Sequence, residues 1–553
     1  MPTHAVTNQV PPLPELNTVT SQPALDEGLR RWAGQAAYDE ICDLGARAGR
    51  AEARGWAVQA NENEPVLRTH SPTGERLDEV DFHPAWHELM TVAVGAGLTA
   101  EPWTQPSGSH AHVRRAAGFI AWSENEQGHL CPVSMTYAAA PALAANPALA
   151  GRWLPQLASR SYDFGLRPVA QKSGALVGMG MTEKQGGSDV RANTTRAVAT
   201  QGGPVEGGDT YRLTGHKWFC SAPMSDAFLV LAQTEAGVGC FLVPRALDDG
   251  TRNPFALQRL KDKLGNRSNA SSEIELDGTL ARRLGDEGRG VRTIIEMVAA
   301  TRLDCVLGSA SLMRHALAEA SWHVAHRSAF GSLLADKPLM QNVVADLAVE
   351  SEAATALAIR LAAAVDGMDA PHDAAHERAL RRIALPLAKF WVCKRTPGFV
   401  AEALECLGGN GYVEDSGLPL LYREAPLNSV WEGSGNVNAL DVLRALAREP
   451  EALAAWITEV GFARGADARL DRAVDDTLTL LGESGAQEAG ARRLAGRMAA
   501  CLQGSLLVRY APAEVADAFC GSRLGGSYDG TYGTLSTSAA ELRTIVERTT
   551  PTV

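Results

Sequence analysis

Apolar and polar positions change their rhythm twice along this chain. From Ala24 to about Ser173, apolar residues recur at three- and four-residue spacing, as in Trp86 to Ala96 and Ala111 to Trp122. That period predicts mostly helix. Residues 176–283 read differently. Short alternating or apolar runs (Tyr211-Arg-Leu-Thr, Phe228-Leu-Val-Leu-Ala, Cys240-Phe-Leu-Val, Glu273-Ile-Glu-Leu) are separated by Gly, Asp and Asn, which predicts strands. Helical periods return from Val291 to Leu446, clearest over Leu303 to Phe330, Leu339 to Ala364 and Ala374 to Leu407, with Gly408-Gly409 closing the last. The residues beyond Arg448 read as mainly helical too.

Helices, then a β block, then helices, predict an α+β fold. The expected division is an N-terminal arm and helical domain over 1–175, a middle β domain over 176–283, a helical bundle over 284–446 and an added helical domain over 447–553. The proline-rich residues 1–25 form an arm that either drapes over the body or stays disordered.

Composition narrows the class. Of 553 residues, 45% are hydrophobic and 21% charged, ordinary for a soluble globular protein with a large core. A net charge of −12 argues against a surface that coats nucleic acid broadly, while a local basic patch stays compatible with it. The nine cysteines are scattered and form no C-x-x-C pair, so neither a metal site nor a disulfide framework is expected. Their apolar flanks fit buried thiols in a reducing cytoplasm. No eighteen-residue apolar run and no signal-peptide pattern is present, so no membrane contact is expected.

Three segments carry candidate chemistry. Met179-Gly-Met-Thr-Glu-Lys-Gln-Gly-Gly-Ser-Asp189 packs hydroxyls and glycines after an apolar run, as a loop that approaches a flat polar ligand would. Gly215-His-Lys-Trp-Phe-Cys-Ser221 ends a strand with aromatics that suit the wall of a planar ring, or a core tryptophan. Val430-Trp-Glu-Gly-Ser-Gly-Asn-Val-Asn438 sets a glutamate among apolar residues ahead of a helix starting near Asn438. A carboxylate in apolar surroundings can act as a base near neutral pH. Arg327-Ser-Ala-Phe-Gly331 and Leu407-Gly-Gly-Asn-Gly-Tyr412 are accessory; each is equally a helix end.

In this order, the motifs Met-Thr-Glu…Gly-Ser-Asp, Gly-His-Lys-Trp, Arg-x-x-Phe-Gly, Leu-Gly-Gly-x-Gly-Tyr and Trp-Glu-Gly-Ser resemble the acyl-CoA dehydrogenase flavoproteins. Arg259 to Ser271, Tyr422 to Asn436, Phe82-His-Pro-Ala-Trp86 and the added tail resemble the AidB-like alkylation-response branch. The resemblance implies a middle β-barrel-like domain between helical domains, FAD as cofactor, and a homotetramer. It places Met179, Met181, Thr182, Gly187, Ser188, Trp218, Phe219 and Ser221 along the flavin, with Trp431, Gly433, Ser434 and Asn436 on the other side. Arg327, Phe330, Gly408, Gly409 and Gly411 would reach the FAD of a neighbouring subunit. Glu432 would be the base that takes the α-proton of an acyl thioester, and Arg302 would border the acyl pocket.

Two departures from the family pattern stand out. Lys184-Gln185 replaces a proline-containing turn, and Trp431 replaces a smaller or tyrosyl neighbour of the base. Both crowd the expected substrate entry and point to the AidB-like branch. That branch implies double-stranded DNA as a partner of the tail. Residues 445–553 hold 11 Arg, no Lys and 14 Asp plus Glu, a net of −3. Arg444, Arg493, Arg497 and Arg523, with Arg492 and Arg509, are the local basic candidates. The expected function is an FAD flavoprotein that protects DNA against alkylating agents by binding it, by inactivating the agent, or both, with weak acyl-CoA dehydrogenase activity. The alternatives are a working short- or branched-chain acyl-CoA dehydrogenase, and a DNA-associating module whose flavin is structural.

Overall fold

The computed structural model describes residues 3–200, 209–368, 373–484, 487–526 and 530–551. The chain forms two compact units, one of residues 51–106 and 125–304, the other of 1–50, 107–124 and 305–553.

In the first of these, the expected helical stretch is interrupted by a hairpin of β1 (Val66–His70) and β2 (Arg76–Asp81). The helices Pro84–Gly95, Leu130–Leu143 and Pro147–Leu157 follow it. The β block holds β3 (Val177–Gly180), β4 (Arg196–Ala199), β5 (Thr210–Ser221), β6 (Ala227–Thr234), β7 (Gly237–Pro244), β8 (Ala256–Leu260) and β9 (Ser271–Leu284). The sheet order is β3-β6-β4-β5-β9-β7, and β7 pairs again with β6, so the path closes on itself. Closure gives the barrel-like form and removes the open edges of β6, β4, β5, β9 and β7, while β3 stays outside the ring, paired to β6. β6 explains why this block reads as apolar. Ala227 to Ala232 have no exposed surface, so the strand is covered on both faces. The Leu130–Leu143 helix packs on β3, and Thr136 Oγ1 accepts the Val177 N–H at 3.1 Å.

The other unit is helical. Pro338–Gly367 and Ala374–Cys406 are its long central pair, packed through alanines that let the two backbones approach. Gly435–Arg448, Pro450–Gly461 and Ala491–Tyr510 pack around them. The tail is tied to the Pro338–Gly367 helix by acidic residues. Arg523 bonds Asp346 and Glu350, and Arg548 bonds Glu352 at 3.0 Å, while Arg395 of the Ala374–Cys406 helix shares Glu350 at 2.7 Å. The N-terminal arm is draped rather than free. Asn8 exchanges two 2.8 Å hydrogen bonds with the Ser328 backbone, and the Trp322 indole donates to the Pro11 carbonyl at 2.9 Å. Among the described residues no helix is long and apolar enough to cross a membrane, and no cluster could hold a metal ion.

Candidate functional site

β3 delivers Met181, Thr182 and Glu183 to the start of the glycine-rich loop. Glu183 is not a solvated loop charge. Its side chain is fully buried against that of Lys217 on β5, Oε1 to Nζ 2.8 Å, and it also accepts from the Thr194 N–H at 2.6 Å and the Thr195 N–H at 3.1 Å. Burial alone would raise the Glu183 pKa, but Lys217 and the threonine donors outweigh it and hold the carboxyl well below its usual range. Lys217 donates also to the Leu231 carbonyl of β6 at 2.8 Å. The loop is tied further by Trp218 N–H to the Thr182 carbonyl at 2.8 Å and Lys184 N–H to His216 Nε2 at 3.0 Å. With its base fixed, the tip from Lys184 to Asp189 is exposed, including Gly187 and Ser188. A Cβ on Gly187 would run into the Thr182 hydroxyl, so only glycine lets the tip fold over that residue.

The β5–β9 register shifts between Lys217 and Cys220. Such a bulge re-aims side chains next to it. Lys217 and Cys220 point inward, while Phe219 is turned out and is 51% exposed. Trp218, read as either the wall of a planar ring or a core residue, is half-buried within the strand, with Lys261 Nζ 3.3 Å from its ring centroid and Lys184 Nζ at 5.6 Å. Lys184 is thus directed at an indole on the barrel wall. Ser221 lies beyond, its hydroxyl 3.4 Å from that of Ser271. The Trp218 face is covered by Lys261, and the exposed ring is that of Phe219, two residues before Ser221. Arg302, in the same unit, is buried in the Gly290–His326 helix.

In the helical unit, residues 428–438 form a tight turn. Trp431 N–H bonds the Leu427 carbonyl at 3.1 Å, and its indole donates to Asn428 Oδ1 at 3.0 Å. Glu432 and Gly433 then take φ of 56° and 94°. Left-handed backbone is costly for a non-glycine residue and concentrates at functional sites. The next helix starts at Gly435, earlier than expected, with Ser434 as its N-cap and Asn436 exposed in its first turn. The apolar enclosure expected around Glu432 is only partial in this chain, because Val430 is exposed and Trp431 half-buried.

Lys389, which the sequence reading missed, holds this turn. It stands on the Ala374–Cys406 helix and donates to the carbonyls of Asn428 at 2.6 Å and Gly433 at 3.1 Å. The Gly408-Gly409 turn ends the same helix, with Gly408 at φ 60° and Gly411 packed under the Leu404 carbonyl. Arg327 reaches back to the Asn8 carbonyl, and Phe330, at φ 52°, is 99% exposed.

The tail arginines divide. Arg523 is corrected as a DNA candidate, because its side chain is 3% exposed and its charge is matched by Asp346 and Glu350. Arg509 is matched by Glu459 at 2.9 Å. Arg444, Arg493 and Arg497 are exposed, and none is ion-paired among the described residues. Arg492 lies over the Phe390 ring, 5.7 Å from its centroid.

Comparison with known proteins agrees with this geometry. Residues 8–164 match the adaptive response protein AidB N-terminal domain, 178–279 the acyl-CoA dehydrogenase middle domain and 288–447 the acyl-CoA dehydrogenase C-terminal domain. AidB of Escherichia coli is 45% identical over 94% of this chain and 94% of its own. Acyl-CoA dehydrogenase family member 11 of Caenorhabditis elegans is 31% identical over 80% of this chain and 72% of its own. The structure of Caenorhabditis elegans ACDH-11 in complex with C11-CoA superposes with a TM-score of 0.83 at 26% identity, covering 99% of this chain and 93% of that one.

Proposed function

We propose a function for a chain that belongs to the acyl-CoA dehydrogenase family, in its AidB-like branch. Membership makes it an FAD-dependent oxidoreductase acting on CH–CH bonds. We infer that the substrate is an acyl thioester and that Glu432 is the base. Glu432 takes the α-proton, the electrons of that C–H bond form the new double bond, and the β-hydrogen departs with its electron pair. Bound FAD supplies the acceptor for that pair.

The chain's own residues hold and shape this chemistry. Thr182, Ser188 and Ser221 offer hydroxyls, and Phe219 with Trp218 offers the aromatic wall. The Met179 and Met181 backbone with Gly187 lines the same side. In the helical unit, we assign Trp431, Gly433, Ser434 and Asn436, the neighbours of Glu432 in sequence, to the cofactor as well. Donors aimed at the thioester oxygen would stabilise the charge that develops as the proton leaves. The observation that carries the reading is the Glu432 turn, a glutamate held in left-handed backbone between a tryptophan and a glycine. Anaerobic bleaching of the flavin by butyryl-CoA or isovaleryl-CoA, abolished by Glu432→Gln, tests it. Wild-type protein bleached by no acyl-CoA would rule it out.

A second role rests on a separate observation. Arg444, Arg493 and Arg497 are exposed and unmatched among the described residues, although the tail as a whole is acidic. We propose that they meet the phosphates of double-stranded DNA, in a protein that protects DNA against alkylating agents. Binding that weakens steeply with salt is the expected signature. Phe330 at 99% exposure and Tyr412 at 84% support a covering neighbour subunit, so we propose a homotetramer in which Arg327, Phe330 and the Gly408–Gly411 turn complete the neighbour's cofactor site. Light scattering of the purified protein tests that assembly.

A further inference from the structure

We infer that Lys389 is the positioning residue of the Glu432 turn, a clamp that holds the base in its left-handed conformation. The inference rests on the reading of Glu432 as the base. Lys389 is 1% exposed, and among the described residues no carboxylate pairs with it. A buried ammonium must be compensated by oriented dipoles. Here those dipoles are the main-chain carbonyls of Asn428 and Gly433, at 2.6 and 3.1 Å.

The choice of carbonyls explains the turn. They flank Ser429 to Glu432 in sequence, so one nitrogen draws both ends of that stretch together. Closing so short a segment forces the backbone through left-handed space, and the residues that take it are Glu432 and Gly433. Gly433 can do so freely, whereas Glu432 cannot. Asn438 adds a second thread, its Nδ2 donating to the Gly433 carbonyl at 2.7 Å and the Ser434 carbonyl at 3.1 Å. Asn428 ties the other end to Trp431, whose indole donates to its side chain. Lys389 is anchored in a long, buried helix, so the carboxylate is referenced to the rigid core of its unit rather than to a surface loop. Lysine suits this task, because one nitrogen with several donors can serve both carbonyls, whereas the guanidinium fork spreads its donors.

The test is the FAD-loaded Lys389→Met variant with butyryl-CoA as probe. We expect flavin reduction at saturating butyryl-CoA to fall about a hundredfold, since a misplacement of about 1 Å carries such a cost. FAD content and the half-saturating butyryl-CoA concentration should stay within about twofold, which separates positioning from binding. A crystal structure of the variant should show Glu432 leaving the left-handed region. A wild-type rate, whether or not the turn moves, overturns the proposal. So does an unmoved turn. Should Lys389→Met fail to fold, Lys389→Arg keeps the buried cation but divides its donors, and the same two outcomes decide. If wild-type protein reduces with no acyl-CoA, the base reading fails, and the crystallographic displacement alone decides the clamp.

Discussion

Lys217 and Glu183 form an ion pair at 2.8 Å with both side chains fully buried, joining β5 to the loop that follows β3. A buried pair is not by itself a source of stability, but breaking it leaves an uncompensated charge in the core. Glu183→Gln should cost roughly 3–5 kcal/mol of unfolding free energy. Replacing both, as Glu183→Leu with Lys217→Met, should cost less than either single change. Urea titrations of Glu183→Gln, the double variant and its two single components check this ordering. Greater damage in the double variant would show that the pair itself stabilises the barrel.

The same pair sets an acid limit. The Glu183 pKa is lowered in the folded state, so its contribution is present above the ordinary carboxylate range and is lost as pH falls through the folded value. Stability of the wild type should therefore decline progressively below about pH 4.5, the ordinary glutamate value, and Glu183→Gln should flatten that decline. Thermal melts between pH 7 and pH 3 report it. Parallel curves for the two proteins would contradict the assignment.

What was legible in the sequence was local. The β6 run, the long helical periods and the glycine turns each show their element within one contiguous stretch. The Trp431 to Ser434 motif is contiguous too. The contacts that fix these motifs are not. Lys389 lies 44 residues before Gly433, and Lys217 lies 34 after Glu183. Lys389 does sit in an apolar run, Leu385-Pro-Leu-Ala-Lys-Phe-Trp-Val-Cys393, which marks it as buried, but nothing local names its carbonyl partners. Arg523 reads as a surface arginine until Asp346 and Glu350, over 170 residues earlier, are brought beside it. The β1–β2 hairpin escaped because the helical periods on either side of it were read through, and Arg68, Asp78 and Glu79 mask the alternation of its short strands.

Glu432 offers a test of strain against function. Its φ of 56° is costly for a glutamate and free for a glycine. Glu432→Gly and Glu432→Ala both remove the carboxylate and should both abolish flavin reduction by acyl-CoA, and the glycine variant should be the more stable of the two by about 1 kcal/mol. Calorimetry and anaerobic titration on one preparation read both. Equal stability of the two variants would show that position 432 carries no backbone strain.

Tail arginines should separate by burial. Arg523→Ala removes one partner from two buried carboxylates, so it should destabilise the protein by roughly 3–5 kcal/mol. Arg493→Ala with Arg497→Ala touches only exposed, unpaired side chains, and its stability should stay within about 0.5 kcal/mol of wild type. On double-stranded DNA the order reverses. If both arginines meet phosphates, the slope of log binding constant against log salt should shrink by about 1.8, since each phosphate contact contributes about 0.9. Fluorescence anisotropy with a duplex at several salt concentrations measures it. An unchanged slope would move the DNA-facing surface away from the Ala491–Tyr510 helix and leave Arg444 as the residue to test.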